Sequence, residues 1–344
     1  MSISKNFKYL DKLINSGVEE IVLDSNIVLS DDEQSEYIEG IELCDDDLVI
    51  DGNGYSIDAR GKTRIFDCTG KNITIKNITL KNGFTEDNGG AILNNGECDI
   101  VKSIFTGNFA KKYGGAIYTR GKCNIVECIF TDNIADDHGG AIYNWEDCTI
   151  EKSTFSKNIA NFNGGAINTR KEYEILKSTF TENSSANYGG AIHNYENNCN
   201  IFESIFSENS AANYGGAINN YNGCCKIFKS TFNDNFAEEY GGAIYNWDDC
   251  KIEQSVFTNN TVNRNGGAIT NRKEISIVES IFNGNIAEDQ GGAINSYEGC
   301  CCVIKSIFKG NTAEYKGGAI RNYSEAKLKH SKCKFDNNKP DDID

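Results

Sequence analysis

Proline is all but missing from these 344 residues, and the single one, Pro340, lies among the last five. Nothing before it is barred from a β ladder by a missing N–H. Histidine occurs only three times, as His138, His193 and His330. Their positions share no metal-ligand spacing, and the chain has no Walker, HExxH or Gly-x-Ser-x-Gly motif. No apolar run approaches the roughly 18 residues of a membrane helix. The N-terminus, MSISKNFKYLDKLINSG, lacks both a secretory apolar region and a small-residue cleavage site. Positive charge is scarce as well: 34 bases face 50 acids, a net charge of −16. A surface this acidic repels phosphate backbones and anionic membranes, so nucleic acid is not an expected partner.

What the chain does have is repetition. Gly-Gly-Ala-Ile occurs ten times, beginning at Gly89, Gly114, Gly139, Gly164, Gly189, Gly215, Gly241, Gly266, Gly291 and Gly317. The spacing is always 25 or 26 residues, the mark of a solenoid. Nine residues before each pair stands Leu80 in the first unit and phenylalanine thereafter, from Phe105 to Phe308. Three residues after each Phe is asparagine, from Asn108 to Asn338. Seven before the Phe runs a cysteine column, Cys98, Cys123, Cys148, Cys199, Cys225, Cys250 and Cys301, with Tyr173 and Ile275 in its gaps.

Period-two alternation around these slots predicts three short strands per unit: Gly-Ala-Ile-x-Asn, Cys-x-Ile and Ser-x-Phe. Each would pair in register with its copy one coil away, stacking like on like. The expected fold is all-β, a right-handed, single-stranded parallel β-helix. Residues 1–17 read as a helical cap, with Phe7, Leu10, Leu13 and Ile14 on one face and Gly17 ending it. Residues 18–80 read as irregular first coils, 81–338 as the regular array, and 339–344 as a polar tail expected to fray. Lys102, Glu127, Lys152 and their equivalents, three before each Phe, are expected to form outward cross-strand pairs.

The paired GGAI and FxxN motifs resemble the repeat of chlamydial polymorphic outer-membrane proteins. They are also similar to adhesin-like β-helix proteins of methanogenic archaea, whose first coils the stretch LVIDGNGYSIDARGKTRIFDCTGKNITIKNITLKNG resembles. The likeness runs over residues 18–338. It implies a right-handed, pectate-lyase-like β-helix, often at the cell surface in adhesion. The N-terminus as written carries no export signal, which points to the cytoplasm if the chain begins here.

These readings favour a non-catalytic adhesin-like or scaffold protein over the alternative, a polysaccharide lyase or glycoside hydrolase. A lyase of this architecture needs carboxylates on neighbouring coils. The slot after Gly-Gly-Ala-Ile holds no acid, and the acidic pairs Asp136–Asp137, Glu238–Glu239 and Glu288–Asp289 fall at corners of non-adjacent coils. No catalytic residue, metal ligand or cofactor is expected. Reduced, buried thiols are the favoured state of the 14 cysteines, with disulfides or metal as alternatives.

The candidate binding surface is an outer stripe containing Arg120, Trp145, Tyr195, Tyr221, Trp247, Arg272 and Tyr297. Alternation adds Tyr118, Tyr143 and Tyr245 to the same outer face. Arg120–Trp145–Arg170 and Trp247–Arg272–Tyr297 would stack as cation–π ladders. The expected partner is a polysaccharide or a cell-surface protein.

Overall fold

The computed structural model describes residues 5–323 and 327–344, so the first four residues of the expected cap lie outside it. The chain divides into two units, Met1–Asn161 with Ala166–Lys171, and Phe162–Gly165 with Glu172–Asp344. Each is a parallel β-solenoid in which every strand pairs in register with its copy one coil on.

One coil of the first unit shows how sequence sets the path. Cys123–Val126 forms a strand that buries Cys123 and Ile125. Glu127 then takes a φ of 56° and turns the corner. Ile129–Thr131 follows and buries Phe130. Asp132 at φ 54° makes a second corner, beyond which Asn133 points inward, fully buried. Ile134–Ala135 adds a two-residue strand, and Gly139 at φ 69° leads into Ile142–Asn144. The regular coils thus have a fourth short strand beside the three expected ones, and it first appears at Phe84–Thr85. A two-residue strand leaves no alternation to read.

Stacking of identical residues supplies the core. In the first unit the rings of Phe105, Phe130 and Phe155 lie 4.6 and 4.7 Å apart. In the second, the column from Phe180 to Phe308 keeps 4.8 to 4.9 Å at interplanar angles of 3 to 4°. Beside it runs the asparagine ladder. The Asn209 amide donates to Asn235 Oδ1 at 3.0 Å and to the Phe180 carbonyl at 3.0 Å, while the Asn209 backbone N–H also donates to Asn235 Oδ1. Every polar atom of such an amide is satisfied, which removes the cost of burying it. A second buried ladder, Asn194, Asn220, Asn246 and Asn271, links coils at 2.6 to 2.8 Å. The residue two before each Phe, serine in most coils and cysteine at Cys128, forms a third: the Ser204 N–H donates to Ser230 Oγ at 3.2 Å and the Ser103 N–H to Cys128 Sγ at 3.4 Å.

Both glycines of the repeated pair are sterically required. A Cβ on Gly114, at φ 66°, would meet the Ile117 carbonyl at 2.1 Å, and one on Gly115 would meet the Gly140 carbonyl of the next coil at 2.2 Å.

Three expectations change. Lys102, Glu127, Lys152 and their equivalents occupy left-handed corners, with φ from 47 to 56°, not strands. Their coil-to-coil pairing exists nonetheless, as in Lys305–Glu279 at 2.9 Å. Period two cannot distinguish an outward strand residue from a corner residue that breaks the strand. In the N-terminal helix, Phe7–Ile14, the buried residues are Phe7, Leu10 and Ile14, while Leu13 is half-exposed. Asn6 caps it by accepting from the Tyr9 N–H at 3.1 Å. Rather than fraying, the tail continues the solenoid: Lys339 pairs with Thr312 and Ile343 with Ile320.

Candidate functional site

The last ladder residue of each Ile-x-Asn strand turns the chain outward, and the next residue forms the stripe. In the second unit Tyr195, Tyr221 and Trp247 are 38, 50 and 37% exposed. The Tyr195 and Tyr221 rings stack at 5.7 Å, and Tyr221 meets Trp247 edge-on at 5.8 Å. The Arg272 guanidinium lies 5.1 Å from the Trp247 ring and 4.1 Å from Tyr297, which stacks on Tyr323 at 4.7 Å. The expected Trp247–Arg272–Tyr297 ladder is present.

In the first unit the ladder is only half formed. Arg170 lies over Trp145 at 4.4 Å. Arg120 instead turns to Tyr118 of its own coil, 5.4 Å from the ring, and donates from Nε to the Tyr118 hydroxyl at 2.9 Å. A hydroxyl within reach on the same strand competes successfully with an indole one coil away.

Tyr118, Tyr143 and Tyr245 do not share the exposed stripe. They are 2, 2 and 0% exposed. Alternation put them on the outward side of their strand, but the segment before each Gly-Gly pair folds back over that side. Tyr113 reaches Tyr143 at 4.7 Å, and Tyr214 reaches Tyr245 at 4.7 Å. The result is a small aromatic core outside the solenoid. Arginines seal it: Arg170 Nε donates to the Tyr143 hydroxyl at 2.9 Å and Arg272 Nε to that of Tyr245 at 3.0 Å. Burial pushes the Tyr245 hydroxyl up to about 12 even against Arg272, so it stays a neutral acceptor. Burial also holds the His138 imidazole below its usual range, against the pull of Asp137.

Sequence reading overlooked Glu146 and Lys171, which with Arg120 and Trp145 line a depression of about 420 Å³ in the first unit. The signal was available, because the triplet Arg-Lys-Glu follows each tryptophan one coil later, at 170–172 and at 272–274.

All 14 cysteines are free thiols, with the column buried. Cys225 Sγ approaches Cys199 Sγ at 3.2 Å as a hydrogen bond. Burial pushes Cys148 and Cys301 up to about 12, which makes them inert apolar fillers at neutral pH. Among the described residues no cluster of three or more His, Cys, Asp or Glu side chains is placed to hold a metal ion. No helix among them is long and apolar enough to cross a membrane.

Residues 4–102 match a pectate lyase-like adhesive domain. Nine segments match the Chlamydia polymorphic membrane protein repeat: 102–120, 127–144, 152–170, 177–195, 203–221, 229–246, 254–272, 279–297 and 305–323. No curated protein matches the chain. One solved structure similar to it is a PL6 alginate lyase in complex with trisaccharide, at 13% identity and a TM-score of 0.43, covering 96% of this chain and 81% of that one. With an adhesive-domain match running into nine such repeats, and with the parallel coils those repeats build, this chain belongs to the GGAI/FxxN-repeat parallel β-helix proteins.

Proposed function

We propose that this chain is a non-catalytic, adhesin-like β-helix protein whose outer aromatic and arginine stripe contacts a glycan. The observation that carries this reading is the run Tyr195–Tyr221–Trp247, three exposed rings on successive coils with centroids 5.7 to 5.8 Å apart. Aromatic rings present a large apolar face with a polar edge and little rotamer entropy to lose. Regularly spaced rings suit a polymer of repeating units better than the irregular relief of a protein, although a protein surface is the other occupant the stripe would accept. The solenoid fixes the ring spacing through its ladders, so the face is preorganised and loses little on binding.

The test is a panel of neutral and charged polysaccharides against the full chain and Trp247→Ala. Binding by the parent to at least one polymer, weakened at least tenfold in the variant, is the expected result. It corresponds to removal of an aromatic anchor worth ~1.4 kcal/mol or more. A parent that binds no polymer sinks the glycan reading. Chain cleavage in the same wells sinks its non-catalytic part.

A further inference from the structure

We propose that the depression beside Trp145 is a subsite for an anionic sugar, one carrying a carboxylate or a sulfate, and that the equivalent place beside Trp247 lacks this preference. The proposal rests on the glycan reading of the stripe and adds the chemical class.

The two places are internal copies. Residues 136–150, DDHGGAIYNWEDCTI, return as 238–252, EEYGGAIYNWDDCKI, and the next coil reads GGAINTRKE at 164–172 and GGAITNRKE at 266–274. The duplication therefore spans two coils. In both copies arginine lies over the indole and donates to the buried tyrosine two residues before it. Against this common frame two differences stand out.

The first is the coil before the tryptophan. The Trp247 copy has Tyr221 there, and its ring packs edge-on against the indole. The Trp145 copy has Arg120, exposed and turned aside onto Tyr118. Only its Nε is used in that bond, so the outer nitrogens of the fork remain available.

The second difference is the residue after the tryptophan. Asp248 closes onto Lys273 Nζ at 3.0 Å and accepts from the N–H groups of Gly223 and Asp249, so the lysine charge is matched. Its counterpart Glu146 lines the depression with Lys171, yet no carboxylate among the described residues lies within 4.0 Å of Lys171 Nζ or of the Arg120 guanidinium. The Trp145 indole N–H is also shut off from solvent and donates to no acceptor among the described residues. The Trp145 place thus offers an arginine fork and an ammonium against one carboxylate. A ligand that fits must bring acceptors and negative charge. Arginine pairs bidentately with carboxylate or sulfate-like oxygens, and lysine adds a point charge. At −16 the chain as a whole repels anions, so this pairing needs the short range that salt screening leaves.

The experiment titrates the full chain with three oligosaccharides of equal length: a neutral hexose oligomer, a hexuronic acid oligomer and a sulfated hexosamine oligomer. The variants are Arg120→Gln/Lys171→Gln and, as a control, Lys273→Gln. Thermal unfolding confirms that each is folded, and Trp145 fluorescence in a Trp247→Phe background reports occupancy of this place alone. The expected result is at least tenfold tighter binding of one anionic oligomer than of the neutral one, with quenching of Trp145. The double variant loses that margin, binding the anionic and neutral oligomers within twofold of each other, and Lys273→Gln keeps it. The uronate and sulfate arms separate the two sources of charge. Neutral binding with no anionic preference, or a preference that survives the double substitution, overturns this proposal and leaves the glycan reading standing. Absence of binding by all three oligomers overturns both.

Discussion

Where each regular coil places the second glycine of Gly-Gly-Ala-Ile, the coil before the first of them places Arg64. Phe66 pairs with Ile92, so counting back two residues sets Arg64 opposite Gly90. In the array that slot admits no side chain: a Cβ on Gly216 would lie 2.1 Å from the Gly242 carbonyl. Arg64, by contrast, is 1% exposed and fills its slot with donors. It reaches Glu39 Oε2 at 2.8 Å, the Glu39 carbonyl at 2.9 Å, the Gly89 carbonyl at 3.1 Å and Thr85 Oγ1 at 3.2 Å. The array is held by one contact repeated, and the first coils by particular contacts made once. The aromatic stripe proposed to bind glycan belongs to the array, where repetition spaces it.

This contrast yields predictions that differ in size and in reach. The largest effect is expected from Phe232→Ala, which empties one place in a column of stacked rings and costs about 3–5 kcal/mol by chemical denaturation. Because each coil touches only its neighbours, hydrogen exchange should speed first around Phe206 and Phe257. Arg64→Met keeps most of the volume but strands buried carbonyls, for about 2–3 kcal/mol. Its exchange signature should stay within the first coils and the turn at Gly89. A loss spread evenly along the chain from either substitution would erase the distinction drawn here.

Acid should separate the two regions at smaller amplitude. The first coils turn at Asp51 and Asp58. Burial favours their neutral forms, but the N–H groups of Asn53 and Arg60, the amides of Asn77 and Asn82, and Lys76 and Lys81 outweigh it, so both titrate below the usual carboxylate range. A carboxyl with a depressed folded value contributes stability that is fully present above its unfolded value of about 3.9. That contribution is lost as pH falls through the folded value. The asparagine ladder carries no titrating group. Between pH 4 and pH 2, taken as roughly that window, amide protection at residues 51–61 should therefore fail before protection at 206–286. Simultaneous loss would show that the carboxylates are not what holds the first coils.

Much of this was legible because repetition makes sequence redundant. Ten copies of one motif locate the Phe and Asn columns without any propensity argument, and both stack as their spacing required. What escaped has physical reasons. Tyr118, Tyr143 and Tyr245 alternate correctly, yet alternation says nothing about a segment that folds back to cover them. Arg64 occurs once, so no column announced it. Arg120 follows the stripe in sequence but leaves it in space, because a nearer hydroxyl offered a bond. The difference between Lys171 and Lys273 depends on whether the acid after tryptophan is Glu146 or Asp248, a single methylene that no period records.

The smallest expected effect lies at the corners, where the sequence pattern looked most like an electrostatic device. Lys305 pairs with Glu279 at 2.9 Å, and both are half-exposed at φ 50°. Two influences act on Lys305. The ion pair favours lysine weakly and is screened by salt. The left-handed backbone disfavours any residue with a Cβ and prefers glycine or asparagine. If the backbone dominates, Lys305→Gly should unfold at the same temperature as the parent or higher, and added salt should not change that order. If the Lys–Glu alternation stabilises the corner, Lys305→Gly should unfold lower at low salt and recover as salt screens the parent's pair. The geometry favours the first outcome. The corner residues would then be charged because they face water, and glycine already serves the other left-handed corner of the coil, two residues after the Phe, at Gly107, Gly284 and Gly310.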